Sequence, residues 1–231
     1  MPAPYTRSAV AAWRNTVEQI SGQLARAGID IVQAFPSRLV GEVAEQPVRA
    51  DRLGLLVGNT RALWPHLIRA VDREPALRDF PDPVDRYCAQ RIEGALASTR
   101  SDYEVLWAHT PPPNAYPIQA LANAAGLCDI APCRLAVHGV YGPWLALRAA
   151  AVIDVPGPAT AAAPPGICAP CPAPCRPPFE AALASGASPE ADWRGWLRVR
   201  DACPVGREHR YREPQLEYHY TKQPWLLARN D

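Results

Sequence analysis

Lysine is almost missing from the 231-residue sequence, because all but one of its 24 Lys and Arg residues are arginine. The sequence also lacks an excess of either charge, with 24 basic against 23 acidic residues and a formal net charge of +1. Without a net field to hold a polyanion or an anionic membrane, this composition argues against a nucleic-acid coat or a membrane-surface protein. The arginines instead supply planar, permanently charged groups that bind carboxylates and phosphates.

Long apolar runs are absent too, and no stretch approaches the roughly 20 residues of a membrane span. The segment Met1–Arg7 leads into an amphipathic pattern and has no signal-peptide core. We therefore expect a cytoplasmic protein whose partners include neither nucleic acid nor membrane. The 48% hydrophobic content excludes a chain that is disordered throughout and is enough for a large buried core.

Several common catalytic motifs are missing as well. The sequence has no G-x-G-x-x-G, no G-x-x-x-x-G-K-S/T and no G-x-S-x-G, and its five histidines form no H-x-x-x-H or H-E-x-x-H pair. These absences leave dinucleotide, P-loop and serine-hydrolase chemistry without support.

The hydrophobic pattern predicts an α+β fold with a mainly antiparallel sheet flanked by helices. Apolar residues at three- and four-residue steps indicate helices, and alternating or continuous apolar residues indicate strands. The expected helices are 8–27, 60–71, 84–97, 118–125, 179–183, 189–199 and 214–220, and the expected strands are 53–57, 102–109, 134–138 and 144–154, with an extended segment over 29–40.

Strands 134–138 and 144–154 are expected to form a hairpin, because Gly139–Pro143 between them has the length of a hairpin loop. The composition then shifts to Ala, Pro and Cys after residue 154. We therefore divide the chain into an α+β sheet domain over 1–154, a Pro/Cys-rich loop over 155–178 and a helical cap over 179–231 packed on the same domain.

What the sequence does have is seven cysteines, an odd count that fits metal, thiol or redox chemistry better than a disulfide framework. Cys168, Cys171 and Cys175 have the spacing C-x2-C-x3-C, and Cys203 is available as a fourth thiolate. Four such ligands would bind zinc or an iron–sulfur cluster. A zinc ion that only staples the loop, or a redox pair at Cys168 and Cys171, explains the same spacing.

Arg148 is the only charged residue in the apolar run 144–153. If that strand is central, its guanidinium must meet a carboxylate or an anionic ligand. Asp82 and Asp85 flank a helix start, where we expect both carboxylates to cap the helix.

Arg200 follows Trp193 and Trp196 on one face of an expected helix. This spacing is typical of core packing. An aromatic wall with arginines at its edge would also suit a flat, amide-decorated ligand.

An ordered set of segments resembles the CblC-type (MMACHC-like) cobalamin-processing proteins, which act as cyanocobalamin reductase and alkylcobalamin dealkylase. The resemblance covers about 53–220 and is strongest at His138–Arg148 and Trp193–Ala202. The other matching segments are Leu53–Gly58, Asp82–Asp85, Asp102–Val105, Gln119–Gly126, Arg210–Tyr211, Gln215 and Tyr218.

The resemblance implies a nitroreductase-like fold and a corrinoid-binding oxidoreductase that removes the upper axial ligand of cobalamin. In that family the ligand leaves by reduction with flavin, FMN or FAD, or by transfer of an alkyl group to glutathione. A downstream protein that accepts cobalamin would be a partner. On matching positions, the residues implied to face the corrin are Asp102, Gln119, His138 and Leu147, and those implied to hold the glutathione carboxylates are Arg148 and Arg200.

A more distant resemblance, at Ala125–Gly126, Tyr141–Trp144 and the cysteine run, is to the epoxyqueuosine reductases, which use cobalamin and iron–sulfur clusters. It implies an alternative, a cobalamin-binding protein with a 4Fe–4S cluster or zinc at the cysteines that acts in electron transfer or as a carrier. A flavin nitroreductase without cobalamin is a third hypothesis.

Overall fold

A four-stranded antiparallel sheet forms the centre of the protein, in a computed structural model that describes residues 7–44 and 48–228. The elements along the chain are α1 Arg7–Ala25, β1 Ile31–Pro36, α2 Arg38–Ala44, β2 Arg52–Asn59, α3 Leu63–Arg73, α4 Pro83–Ala97, β3 Tyr103–Trp107, α5 Ile118–Ala124, β4 Asp129–Ile130, β5 Ala136–Val137, β6 Ala146–Pro156, α6 Arg176–Ala184, α7 Trp193–Asp201 and α8 Gln215–Thr221. The strand order in the sheet is β1-β2-β6-β3, and every neighbouring pair is antiparallel.

Helices cover both faces of this sheet. The core of one face is formed by residues of α1, α3 and α4 packed on the sheet, together with Leu226 and Leu227 near the end of the described chain. The core of the other face lies under α2 and α5. These observations confirm the predicted antiparallel sheet flanked by helices, while the division of the chain at residues 154 and 178 stays a prediction. In the described part of the chain, no helix is long and apolar enough to cross a bilayer.

Local signals place several elements where the sequence predicts them. Helix α1 is followed by Gly28 at φ +76°, a backbone conformation that glycine adopts without steric cost. Helix α4 begins after Asp82, whose carboxylate accepts the backbone N–H groups of Val84 and Asp85, both at 3.1 Å. The capping prediction is therefore confirmed for Asp82.

The predicted hairpin between 134–138 and 144–154 is wrong. Strand β5 pairs with β4 and not with β6, which lies between β2 and β3 in the main sheet. His138 and Gly142 exchange two backbone hydrogen bonds of 2.9 Å, and the next residue is Pro143. Because proline has no N–H to donate, the ladder ends there and the chain leaves to enter the other sheet.

The segment 29–40 is extended only as far as Pro36, and α2 begins at Arg38. The turn is set by Ser37, whose hydroxyl accepts the N–H of Arg52 at 3.0 Å and donates to the carbonyl of Arg49. These partners are more than ten residues away along the chain, so a local hydrophobic pattern does not contain them.

A β-bulge in β6 turns Arg148 toward helix α4. Val57 and Gly58 of β2 pair with Ala149 and Leu147, so Arg148 has no partner in the register and alternation along β6 is interrupted. Consequently Leu147 faces the α5 side of the sheet, while Ala149 faces the α1 and α4 side.

The Arg148 guanidinium is held by two side chains. Its Nη1 donates to Asp85 Oδ1 at 2.9 Å, and its Nε donates to Asn59 Oδ1 at 2.7 Å. The expectation that this central-strand arginine meets a carboxylate is therefore confirmed. Asp85, however, does not cap α4 as predicted, because its carboxylate lies on Arg148 and the cap is Asp82.

We expect Asp85→Ala to lower the free energy of unfolding by about 3 kcal/mol, because it leaves the largely buried Arg148 charge without its partner. Urea unfolding measures this loss. The matched control is Glu42→Ala, which breaks the exposed Arg38–Glu42 pair and should cost less than about 0.5 kcal/mol. Equal losses in the two variants would show that the Arg148–Asp85 pair is not a structural tie.

Candidate functional site

A cavity lies on the side of the sheet that Leu147 faces, and a second cavity adjoins it beside helices α6, α7 and α8. The first, which we name the Gln119 cavity, has a volume of about 230 Å³, and the second, the His219 cavity, has about 260 Å³. Leu135 and Arg200 line both, so the two cavities meet at these side chains. The Gln119 cavity is lined by Ala108, Ile118, Gln119, Leu135, Ala136, Pro143, Leu145, Leu147 and Arg200.

Arg200, in the last turn of α7, is a charged residue that lines both cavities, while Glu190 and Lys222 line the His219 cavity alone. The Arg200 guanidinium carbon lies 5.8 Å from the ring centroid of Trp144, 6.0 Å from Tyr211 and 5.9 Å from Tyr220. Aromatic faces attract a cation at this range. Its Nη1 is buried without a hydrogen-bond acceptor, and within the described residues Arg200 forms no ion pair.

Buried donors are normally hydrogen-bonded, so an unpaired one needs an explanation. The Tyr220 hydroxyl beside Arg200 is also buried and without a partner. The Arg200 guanidinium therefore lies among aromatic rings and has one N–H donor without an acceptor. Such a group is suited to bind an anion such as a carboxylate.

His219 lines the second cavity and packs edge-on against Tyr211 and Tyr220, with ring centroids 5.6 Å and 5.0 Å apart. Burial lowers the pKa of His219 well below its ordinary value, and the positive charges of Arg200, Lys222 and Arg148 lower this pKa further. At neutral pH the imidazole is therefore uncharged, and Arg200 is the cation that both cavities share.

Three of the predicted site residues are brought together. Gln119 in the first turn of α5, Leu147 on β6 and Arg200 on α7 all line the Gln119 cavity. These residues come from distant parts of the chain, and the sheet and its covering helices place them at one surface. Their contact with a corrin or with glutathione stays a prediction.

The other predicted residues lie elsewhere. The carbonyl of Asp102 accepts the N–H of Asp154 at 2.8 Å, and Asp154 is about 20 Å along β6 from Leu147. His138 Nδ1 accepts the N–H groups of Val140 at 3.0 Å and Tyr141 at 3.3 Å, so this histidine stabilises its own turn. Arg148 is occupied by Asp85 and Asn59. The structure therefore does not place these three side chains with the Gln119 cavity.

All four predicted metal ligands, Cys168, Cys171, Cys175 and Cys203, line one small apolar cavity of about 20 Å³. A fifth thiol, Cys133, lines it too and was not singled out by sequence reasoning. Burial raises the pKa of Cys168 to about 11 and that of Cys133 to about 12. All five are free thiols, and no group of three or more Cys, His, Asp or Glu side chains in the described residues is arranged to hold a metal ion. The expected zinc or iron–sulfur centre is therefore not confirmed.

Sequence reasoning missed most of the surroundings of Arg200. The residues not predicted for this site are Trp144, Tyr211, His219 and Tyr220. Tyr211 lies in the irregular segment before α8 and His219 in the short helix α8, and neither belongs to a motif with fixed spacing. The available signal was the unusual density of aromatic residues in 211–220.

Comparison with solved structures finds the C. elegans B12-trafficking protein CblC, a human MMACHC homologue, with a TM-score of 0.69. The match covers 96% of this chain and 96% of that chain at 15% sequence identity. No protein-family model and no curated protein matches the chain. At this identity the likeness shows a common fold, which supports the CblC-type resemblance and gives no support to the epoxyqueuosine reductase resemblance.

Because the pKa of His219 is lowered in the folded state, the unfolded chain binds more protons below pH ~6.5, and stability should fall as the pH drops. We expect the free energy of unfolding to fall by up to about 1.4 kcal/mol for each pH unit below pH ~6.5. Urea unfolding measured from pH 7.5 to about 5 should show a smaller decrease in the free energy of unfolding for His219→Phe than for the wild-type protein. The control, Leu183→Phe at an exposed position on α6, adds the same ring without removing a titratable group and should keep the wild-type slope. An unchanged slope in His219→Phe would contradict a buried neutral imidazole.

Proposed function

We propose that this protein is a corrinoid-binding enzyme that removes the upper axial ligand of cobalamin, with a thiol as the acceptor. The observation that carries the proposal is the Arg200 guanidinium, whose buried Nη1 has no hydrogen-bond acceptor, where two cavities meet. The fold adds support, because it is shared with a protein described as B12-trafficking.

The Gln119 cavity has the lining that one face of a corrin requires. Leu135, Leu145 and Leu147 give it apolar walls, and the exposed Gln119 amide lies at its edge. Corrinoids carry amide side chains around an apolar ring, so an amide at the rim can pair with them while the walls exclude water. A corrinoid is larger than this cavity, and we assign to the cavity only the part of the substrate that bears the upper ligand.

Arg200 is the residue that would bind the thiol substrate. A carboxylate of glutathione placed on its free Nη1 would satisfy the buried donor and form a charge-assisted hydrogen bond. The positive charge also favours the thiolate form of a nearby thiol. Because Arg200 borders both cavities, a thiol anchored in the His219 cavity can point its sulfur at the Gln119 cavity. Holding the sulfur near the alkyl group in this way accelerates the transfer reaction.

The chemistry at this site is transfer of the alkyl group to sulfur. The thiol first loses its proton to solvent, the thiolate then forms a carbon–sulfur bond, and the cobalt–carbon bond breaks with its electron pair staying on cobalt. Reductive loss of cyanide with FMN or FAD would use the same corrinoid surface with a different electron donor. The free guanidinium favours the thiol reaction, since a carboxylate-bearing thiol satisfies it.

We expect Arg200→Gln to raise the glutathione concentration needed for half-maximal dealkylation of methylcobalamin by about 10- to 100-fold, because a charged hydrogen bond is lost. Corrinoid binding, measured by absorbance, should stay near the wild-type level. Arg198→Gln on the same helix, at an exposed position, is the matched control and should leave both quantities unchanged. Parallel loss of corrinoid binding and of thiol dependence in Arg200→Gln would sink the assignment of this arginine to the thiol.

Filling the Gln119 cavity should block the corrinoid. We expect Leu147→Trp to weaken cobalamin binding at least 10-fold, because the larger ring fills part of the cavity that Leu147 lines. Leu183→Trp, at an exposed position on α6, controls for the added indole. Thermal unfolding checks that both variants fold, and wild-type affinity in a folded Leu147→Trp protein would place the corrinoid elsewhere.

A further inference from the structure

A cavity of about 580 Å³, which we name the arginine cavity, lies among helices α1, α3 and α4. Arginines reach it from all three elements: Arg26 directly follows α1, Arg69 and Arg73 lie on α3, and Arg91 lies on α4. Among the described residues, it shares none of its lining with the Gln119 cavity or the His219 cavity. The proposed cobalamin reaction therefore does not use it.

Positive charge dominates this cavity. Its four arginines face a single carboxylate among the described lining residues, that of Glu74. Within the part of the chain that the structure describes, none of the four forms an ion pair. The neighbouring Asp72 pairs with Arg78 at 3.8 Å instead and does not line the cavity. The four side chains are exposed, so an anion from solvent can reach them.

The two arginines of α3 form the most direct anion-binding pair. Arg69 and Arg73 are four residues apart, so they lie on the same face of the helix. Like charges at this spacing destabilise a helix when nothing lies between them. An anion bound between the two guanidiniums replaces this repulsion with two charge-assisted hydrogen bonds.

The floor of the cavity is held in place by packing and by one hydrogen bond. Tyr87 is buried, and its hydroxyl donates to the carbonyl of Ala27 at 3.0 Å, which ties α4 to the end of α1. The Arg91 guanidinium carbon lies 5.1 Å from the centroid of the Tyr87 ring, a distance at which the ring attracts the cation. The walls that carry Arg26 and Arg91 are therefore fixed relative to each other.

His66 adds a neutral polar group to the lining. Its ring packs on the backbone of Gly28, where a Cβ would lie only 2.8 Å from His66 Cδ2. Burial and the positive charge of Arg69 lower the pKa of His66, so the imidazole is uncharged at neutral pH. It can donate a hydrogen bond to an anion without adding to the repulsion among the arginines.

We propose that the arginine cavity binds a small molecule with linked phosphate groups, a nucleoside triphosphate or an inorganic polyphosphate. The planar guanidinium matches the geometry of phosphate, and arginines on three walls can bind more than one phosphate group at once. The volume is that of a small-molecule site. A net charge of +1 gives the protein no general attraction for a long polyanion.

The first test is isothermal titration calorimetry of the full-length chain with ATP and with sodium tripolyphosphate, in magnesium-free buffer at about 0.1 M salt. Both should bind once per chain, and inorganic phosphate should bind at least about 10-fold more weakly because it reaches fewer guanidiniums. Tighter binding of ATP than of tripolyphosphate identifies a nucleotide as the ligand, and equal or weaker binding identifies the phosphate chain. Absence of binding, or equal affinity for inorganic phosphate, overturns the site.

Substitutions of arginine locate the binding. Arg73→Gln and Arg91→Gln should each weaken tripolyphosphate binding about 10-fold, because each removes a charged hydrogen bond. The matched control is Arg86→Gln, on the same helix as Arg91, since Arg86 lies 4.8 Å from the Phe80 ring centroid and outside the cavity. It removes the same charge and should keep the wild-type affinity. Equal losses in Arg91→Gln and Arg86→Gln would show a general charge effect and overturn the site.

A substitution of the opposite kind should strengthen binding. Glu74→Gln removes the carboxylate from the lining and should tighten tripolyphosphate binding about 3-fold. Asp72→Asn changes the net charge equally but lies outside the cavity, so it should have no effect. Unchanged affinity in Glu74→Gln would place the phosphates elsewhere. Tighter binding of a short single-stranded DNA, with the same dependence on Arg73 and Arg91, would assign the cavity to a nucleic acid and overturn the small-molecule ligand.

Discussion

The ion pair between Arg148 and Asp85 fixes the central strand of the sheet against helix α4. The bulge in β6 turns Arg148 to that side, where Asp85 and Asn59 hold it at 2.9 Å and 2.7 Å. The same bulge leaves Leu147 on the opposite face, where it lines the Gln119 cavity. The position of the proposed corrinoid surface therefore depends on a polar contact on the other side of the sheet.

Two arginines that share one chemistry thus have different roles. Arg148 has protein acceptors for its charge and connects a strand to a helix. Arg200 has aromatic rings around it, a free buried donor and two cavities at its sides. Since burial of a charged donor without an acceptor is costly, the proposed anionic ligand would supply the acceptor that Nη1 of Arg200 lacks.

Local signals made much of the fold predictable. The cap at Asp82, the glycine after α1 and the apolar run of β2 act within a few residues, and the structure has all three. Long-range contacts made the rest unpredictable. The hydrogen-bond ladder of the small sheet ends at Pro143, and the chain continues into the main sheet. The turn before α2 depends on hydrogen bonds from the Ser37 hydroxyl to the backbone of Arg49 and Arg52.

The same distinction applies to the candidate site. Gln119, Leu147 and Arg200 were predicted through a resemblance and share a cavity, whereas Asp102 and His138 lie apart from it. Cys133 joins the other cysteines from 35 positions away along the chain, and Tyr220 and His219 reach Arg200 from another helix. Only tertiary packing creates these contacts, so no spacing of residues in the sequence predicts them.

The central claim is that the Gln119 cavity accepts a corrinoid whose upper ligand is then transferred to a thiol. The most direct measurement is a visible-absorption titration of the purified chain with methylcobalamin under anaerobic conditions, first alone and then with glutathione. The account predicts a saturable shift toward the base-off spectrum on binding, followed by loss of the methylcobalamin bands only when glutathione is present. A spectrum that is unchanged at saturating protein concentration would contradict the account.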